Sequence, residues 1–198
     1  MRAHIRLAID SDAEQIQAIY APIVRDTAIS FEIEAPSVNE MRERILSKQG
    51  HFPWLVCELD HELLGYVYAG SHRERAAYQW SVDVTAYVSA ARRRSGVGRA
   101  LYTSLFRILV LQGFYSAFAG ITLPNAGSTG LHTSLGFQPV GVYRNVGYKL
   151  GAWHDVSWWY LPLQAPANAP AAPSSIDAVQ ASPAWEEALS SGLPLLKI

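Results

Sequence analysis

Cysteine is almost missing: Cys57 is the only one in 198 residues. No disulfide can form within the chain, and a reducing compartment, the cytoplasm, is the expected setting. Neither sign of charge dominates, since 16 Lys and Arg oppose 17 Asp and Glu for a net −1. A general nucleic-acid binder would need a basic surplus, so no nucleic-acid partner is expected. No apolar run is long enough to span a bilayer, and the opening residues Met1-Arg2-Ala3-His4-Ile5-Arg6 have no long apolar stretch behind them. Neither a membrane span nor a signal peptide is expected. The six histidines show no metal-ligand spacing, and no metal is expected. There is no internal repeat. What is present is a hydrophobic fraction of 49% and an aromatic fraction of 11%, enough for a compact core. The length suits one domain with room for an appendage.

The chain then divides into periodic segments. Ile5 to Ile9 alternates like a strand. Asp10 or Ser11 can open a helix, with Glu14 three residues after Ser11 as in a capping box, and Pro22 predicts its end at about Ala21. After a loop holding Phe31 and Glu32, Ser37 with Glu40 opens a second helix that runs to Lys48. Pro53–Leu59 and Leu63–Ala69 read as a hairpin around Asp60-His61-Glu62. Tyr78–Val88 is a further strand, and Val97–Gln112 a helix with Leu101, Leu105, Ile108 and Leu109 on one stripe, ended by Gly113. A strand over Ala117–Leu123, a short helix over Ser128–Leu135 and strands over Val140–Lys149 and Asp155–Leu163 complete the order βααβββαβαββ. That order is an α+β pattern with a mixed, mostly antiparallel sheet flanked by helices. The domain is expected over residues 1–164. Residues 165–175, nearly all Ala, Pro, Asn and Ser, read as a linker. Residues 176–198 form a tail whose Trp185, Leu189 and Leu193 could dock, although a loosely held terminus is the simpler expectation.

One stretch carries most of the chemistry. A β-like run leads into Arg92-Arg93-Arg94-Ser95-Gly96-Val97-Gly98-Arg99 and a helix follows. Strand, basic glycine-bearing turn and helix start form an anion-binding device: the free N–H groups of the first helical turn point outward and the helix dipole adds positive charge. Gly96 and Gly98 let the backbone approach a phosphate, and arginine suits phosphate oxygens. The turn therefore predicts a cofactor with a diphosphate. A dinucleotide fingerprint fits poorly, because Leu101 stands where its third glycine would fall and no βαβ unit surrounds it. Arg92 itself reads as solvated charge.

Arg93-x-x-Gly96-x-Gly98 resembles the acetyl-coenzyme A loop of the GNAT acetyltransferase superfamily. Longer strings narrow the likeness. Tyr78-Gln79-Trp80-Ser81-Val82-Asp83 followed by Thr85-Ala86-Tyr87-Val88-Ser89 is similar to the strand before that loop in phosphinothricin acetyltransferases. Phe52-Pro53-Trp54-Leu55-Val56, Gly65-Tyr66-Val67-Tyr68-Ala69-Gly70, Leu123-Pro124-Asn125, Leu131-His132, Leu135-Gly136-Phe137 and Gly147-Tyr148-Lys149 through Trp153-His154-Asp155 resemble the same phosphinothricin and methionine sulfoximine acetyltransferase group. The likeness covers about Ile5 to Leu163 and leaves out the tail.

The resemblance implies the GNAT fold, acetyl-CoA as cosubstrate and transfer of its acetyl group to the α-amino group of a small amino-acid analogue such as phosphinothricin, methionine sulfoximine or methionine sulfone. It implies that Ala86, Tyr87 and Val88 bond the pantetheine arm through backbone, like an added strand. Arg93, Arg94, Ser95, Gly96, Val97, Gly98 and Arg99 would wrap the diphosphate, Asn125 would reach the pantetheine amides, and Ser134 the far side of the cofactor. Transfer needs an uncharged amine, a base and donors for the oxygen charge that builds on the thioester. Asp83 is the leading base. Relatives usually carry glutamate there, and the shorter arm sets the carboxylate about 1.5 Å further back, which favours a relayed water. The Val88 N–H is the natural donor to the oxygen.

His132 is the second catalytic candidate. It stands as an acid for the leaving thiolate, as a partner of Asp83 or of substrate, or as a structural residue. Arg73 and Arg75 match positions where relatives face the substrate's anionic groups, a role that suits guanidinium forks, or they belong to a solvated loop. Phe31 and Glu32 match a pocket-lining loop, and Tyr78 stands as pocket wall or core. His72 has no evident task. Trp153, Trp158, Trp159 and Tyr160 suit an interface or a core, and the resemblance implies a homodimer. Two readings stay open beside an amino-acid acetyltransferase: the same chemistry on another amine or a protein N-terminus, and a non-catalytic coenzyme A-binding module.

Overall fold

The computed structural model describes residues 3–198. It contains seven strands in one sheet, in the order β1-β2-β3-β4-β5-β7-β6. These are β1 (His4–Leu7), β2 (Trp54–Leu59), β3 (Glu62–Ser71), β4 (Ser81–Val88), β5 (Ser116–Thr122), β6 (Gln138–Lys149) and β7 (Ala152–Pro162). All neighbouring pairs are antiparallel except β4 and β5. The helices are α1 (Ala13–Asp26), α2 (Val38–Lys48), α3 (Val97–Gln112), α4 (Ala126–Ser134), α5 (Ile176–Gln180) and α6 (Trp185–Ser190). None of the described helices is long and apolar enough to cross a membrane.

Alternation along β4 explains the two layers. Val82 and Val84 are buried against α3, whereas Tyr87 faces the other way and packs on Tyr20 of α1 and Tyr66 of β3. One core therefore lies between the sheet and α3. A second lies under α1 and α2, around Ile16, Tyr20, Met41, Ile45 and Tyr66.

Local chemistry set most element ends where the sequence predicts them. Ser37 caps α2, accepting the Glu40 N–H at 3.2 Å while the Glu40 carboxylate accepts the Ser37 N–H at 2.7 Å. Gly113, at φ 92°, ends α3. Several ends differ. Helix α1 runs through Pro22 to Asp26, because Ile16, Tyr20, Ile23 and Val24 form one continuous buried face. That packing outweighs the helix bond the proline cannot make. Its expected capping box at Ser11 and Glu14 does not form; the Asp12 carboxylate accepts the Ile9 N–H at 2.8 Å instead. Tyr78 is not in β4, since its N–H closes a turn onto the Arg75 carbonyl at 2.9 Å. Strand β7 begins three residues before Asp155, because Leu150 and Gly151, both left-handed at φ 51° and 80°, form a two-residue hairpin turn.

The tail is the largest difference. It is docked, not loose. Ile176, Val179, Trp185 and Ala188 are buried in the α3 core, and burial of one large apolar side chain is worth about 2 kcal/mol. The linker is tied as well: the Ala171 carbonyl accepts the Trp80 indole N–H at 2.8 Å, and the Ser174 N–H donates to the Gln112 carbonyl at 2.7 Å. The reason lies in α3, whose buried residues extend from the Leu101–Leu105–Ile108 stripe to Ala100 and Ser104. A helix apolar on more than one side needs cover beyond the sheet.

Candidate active site

Strands β4 and β5 pair over three residues only: Ser81 with Ser116, Val82 with Ala117 and Asp83 with Phe118. Beyond that point each continues on its own, β4 to Val88 and β5 to Thr122. On its other side β4 stays paired with β3 as far as Val88. The edge of β4 that faces β5 therefore presents unpaired backbone groups over Val84–Val88, the template that an amide-bearing chain completes by adding as a strand. Asp83 stands at the apex of this wedge.

At the wedge mouth the chain turns into α3. Arg94 and Gly96 are left-handed, at φ 64° and 84°. Gly96 is the N-cap residue of α3, with no side-chain cap and no acidic residue in the first turn. The first helix bond runs from the Ala100 N–H to the Gly96 carbonyl at 2.9 Å. The N–H groups of Val97, Gly98 and Arg99 thus precede the ladder, and the left-handed to helical step gathers them into a concave anion site. Val97 points its side chain into the core and offers only backbone. Gly98 lies close under α4: a Cβ there would lie 3.1 Å from the end of the Leu131 side chain. Beside the turn a cleft of about 320 Å³ runs between α1 and the end of β4, lined by Ile19, Pro22, Ile23, Val88, Ser89 and Arg93.

The apex has a partner for Asp83. His72, two residues past Gly70 (the β3 partner of Asp83), places Nδ1 2.7 Å from Asp83 Oδ1. A carboxylate only accepts, so Nδ1 carries the proton and Nε2 of the neutral ring is left as an acceptor. The imidazole is fixed by stacking on Phe118 of β5 at 4.2 Å between ring centres and by Trp158 of β7 edge-on at 6.3 Å. Burial raises the Asp83 carboxyl above the ordinary aspartate value, while the hydrogen bond from His72 pulls it back. Two cations lie towards this end, and Arg73 favours the charged form of Asp83. The Arg73 guanidinium lies over the Trp158 ring at 5.9 Å, and the Lys48 ammonium sits where a Cβ on Gly70 would be only 3.1 Å away.

The description "acetyltransferase (GNAT) domain" fits residues 5–158 of the chain. This protein belongs to the GNAT acetyltransferase family. It is 37% identical over 163 residues to a phosphinothricin N-acetyltransferase of Streptomyces viridochromogenes, covering 82% of this chain and 89% of that one. It is 33% identical over 172 residues to an L-methionine sulfoximine/L-methionine sulfone acetyltransferase of Pseudomonas aeruginosa, covering 86% of this chain and all of the other. The solved structure of a GNAT superfamily phosphinothricin acetyltransferase from Sinorhizobium meliloti in complex with acetyl-CoA superposes with a TM-score of 0.79 at 30% identity, covering 86% of this chain and 96% of that one. The chain is thus an acetyl-CoA-dependent acetyltransferase.

Within this acetyltransferase the wedge and turn suit the cosubstrate. One open strand edge is available for the pantetheine amides, and one carboxylate-free helix start for the diphosphate. Ala86 and Val88 pack their side chains on the α3 core and turn their backbone groups to the open edge, whereas Tyr87, expected to join them, is paired with Tyr66 and turns its carbonyl towards Gly65 of β3. Arg93, Arg94 and Arg99 are exposed at the mouth; Arg99 donates to the Ser134 carbonyl at 3.1 Å. Arg92 pairs with Glu62 at 3.1 Å. Asn125 caps α4, its Oδ1 accepting the Ser128 N–H at 3.0 Å, and Ser134 donates to the Leu131 carbonyl at 2.7 Å.

The two histidines stand opposite to the expected order. His132 is buried, Nδ1 donating to the Ser128 carbonyl at 2.8 Å and Nε2 accepting from the Tyr102 hydroxyl at 3.2 Å. Its ring packs on Phe137, and burial lowers its pKa. Both nitrogens are spent between α3 and α4, and the histidine bonded to Asp83 is His72. Glu32 is also committed, its oxygens held by Arg44 at 2.7 and 2.9 Å and by the Tyr20 hydroxyl at 2.7 Å. Phe31 presses against Gly147 and His154. The same loop is pinned by Lys149, whose buried ammonium donates to the Val24 and Ser30 carbonyls at 2.6 and 2.7 Å. Tyr78 is partly exposed, edge-on to His72 at 6.1 Å. Arg73 and Arg75 line a second recess with Tyr78. His72, Phe118, Trp158 and Lys48 were missed by sequence reading. Only the aromatic crowding of the last strands hinted at Trp158.

Proposed function

We propose that this acetyltransferase moves the acetyl group of acetyl-CoA to the α-amino group of a small, anionic amino-acid analogue of the phosphinothricin, methionine sulfoximine or methionine sulfone type. The observation that carries the reading is the carboxylate at the apex of the wedge, held by His72 with Arg73 nearby. Bound acetyl-CoA supplies an activated acyl group and a thiolate leaving group. The chain's residues do the rest. The unpaired backbone groups of Ala86 and Val88 orient the pantetheine arm, and the Val97–Arg99 N–H groups with Arg93, Arg94 and Arg99 hold the diphosphate. The Val88 N–H supports the oxygen on which charge develops. Asp83 accepts the proton of the acceptor's ammonium or amine, directly or through a water. His72 fixes which carboxylate oxygen faces the substrate by engaging the other.

Arg73, Arg75 and Lys48 suit the acceptor's anionic groups and disfavour a polycationic acceptor. Tyr78 forms a pocket wall. Phe31 and Glu32 shape the loop that closes the α1 side, acting through packing and the Arg44 pair. His132 has no step in this reaction. A homodimer is part of the reading: Tyr148 and Trp153 form an exposed aromatic pair on one face of the β6–β7 hairpin, their ring centres 5.4 Å apart, of the kind a second subunit covers.

The test is free-thiol release with acetyl-CoA and a panel of acceptors. Phosphinothricin, methionine sulfoximine or methionine sulfone should turn over well above methionine. Activity confined to lysine or spermidine would reject the reading.

A further inference from the structure

The chain beyond Leu163 lies outside the family match, which ends at residue 158, yet it reaches the anion-binding turn. After α6 it runs back along the face of α3 that bears Ser104, Ala100 and Gly96. The Ser104 hydroxyl donates to the Leu189 carbonyl at 2.7 Å and accepts the Gly192 N–H at 3.1 Å. Gly192 lies so close to the Ala100 carbonyl that no Cβ would fit. The Leu195 carbonyl occupies the space a Cβ on Gly96 would need. Finally, the Lys197 N–H donates to the Ser95 carbonyl at 2.8 Å. Two backbones meet without side chains between them, at the two residues that set the direction of the first α3 N–H groups.

We propose that the segment Gly192–Lys197 is a positioning element of the cofactor site, holding Ser95 and Gly96 so that the Val97–Arg99 N–H groups are set before the diphosphate arrives. The turn needs such a hold. Ser95 sits between two left-handed residues, and Arg94, with its Cβ, is strained there by about 1 kcal/mol. Freed from the tail, the turn relaxes into conformations that do not gather the N–H groups, and apparent affinity falls with the competent fraction. The absence of a side chain at Gly96 thus serves the tail as well as the ligand. This inference rests on the acetyl-CoA reading of the turn.

Calorimetric titration with acetyl-CoA tests it on the parent protein and on three variants. Lys197→Pro removes the donating N–H. The preceding Leu196, at φ −69° and ψ 139°, already has the conformation a proline requires of its neighbour. Lys197→Ala keeps the N–H and removes the ammonium. A chain ended after Gly192 keeps the buried Trp185 and the Ser104 contacts but loses those to Ser95 and Gly96. Acetyl-CoA should bind about fivefold more weakly to Lys197→Pro, the worth of one hydrogen bond, and more weakly still to the shortened chain, while Lys197→Ala stays within about twofold. Acceptor KM, and kcat at saturating acetyl-CoA, should not move. Circular dichroism melts identify any variant that fails to fold, and if the shortened chain does, the proline variant decides. Parent-like affinity in Lys197→Pro overturns the proposal. So does an equal loss in Lys197→Ala, which would assign the effect to the lysine charge. A parent protein that does not bind acetyl-CoA would instead overturn the reading of the turn itself.

Discussion

The two ends of the wedge are built from different materials. The end proposed to hold the cofactor is backbone: an unpaired strand edge over Val84–Val88 and the first N–H groups of α3, supplied by one contiguous stretch of chain. The end proposed to receive the acceptor is side chains: His72 from just past β3, Asp83 from β4, Phe118 from β5, Trp158 from β7 and Lys48 from α2. Backbone recognition tolerates change in side chains but not in conformation. Side-chain recognition depends on a few atoms and tolerates almost nothing at them. The difference predicts that mutations at the two ends fail in different ways.

The largest effect is expected at the apex. Asp83→Asn should lower kcat by about a hundredfold or more, the usual worth of a general base, while leaving acetyl-CoA affinity unchanged by calorimetry. Loss of cofactor binding in that variant would erase the division between the two ends. His72→Phe, which keeps the stack on Phe118 and removes the nitrogen, should lower kcat/KM about tenfold. It should also move the acid limb of the pH–rate profile to higher pH. The sign follows from the causes: burial raises Asp83 and His72 opposes that rise, so without His72 the carboxylate protonates at a higher pH. A limb that stays in place would remove His72 from the mechanism.

Gly96→Ala tests the other end. It puts a Cβ on a left-handed residue facing the Leu195 carbonyl, and should weaken acetyl-CoA binding about tenfold and cost about 2 kcal/mol of stability, with acceptor KM unchanged. The smallest effect on catalysis is expected at His132→Phe, with kcat within about twofold and a melting temperature a few degrees lower. Burial holds His132 below the ordinary imidazole value, so the unfolded chain takes up the proton first. Stability therefore falls as pH drops through the ordinary histidine range, and the Phe variant should flatten that dependence. A large drop in kcat would return His132 to the site.

The contrast also explains what could be read in advance. The strand, turn and helix start around Arg92–Arg99 were legible because their requirements are local: a β-like run, glycines at a fixed spacing and an amphipathic stripe. The capping box of Ser37 and Glu40 was legible for the same reason. The pairing of His72 with Asp83 was not, because the two meet only once β3 and β4 are in register, with Gly70 opposite Asp83. The choice among the roles open to His132 was not legible, because a histidine on a helix carries no local mark of where its nitrogens will be spent. The tail escaped because its linker composition resembles a free chain, and the surplus apolar surface on α3 that it covers is evident only when the sheet side of that helix is known. Pro22 and the Leu150-Gly151 turn misplaced element ends, since packing overrode one signal and a non-glycine left-handed residue hid the other.

Amide hydrogen exchange with and without acetyl-CoA tests the central claim most directly. The wedge account predicts new protection on the open edge of β4 within Val84–Val88 and at Val97, Gly98 and Arg99 when acetyl-CoA is added. Unchanged exchange in both segments, with protection arising elsewhere, would contradict it.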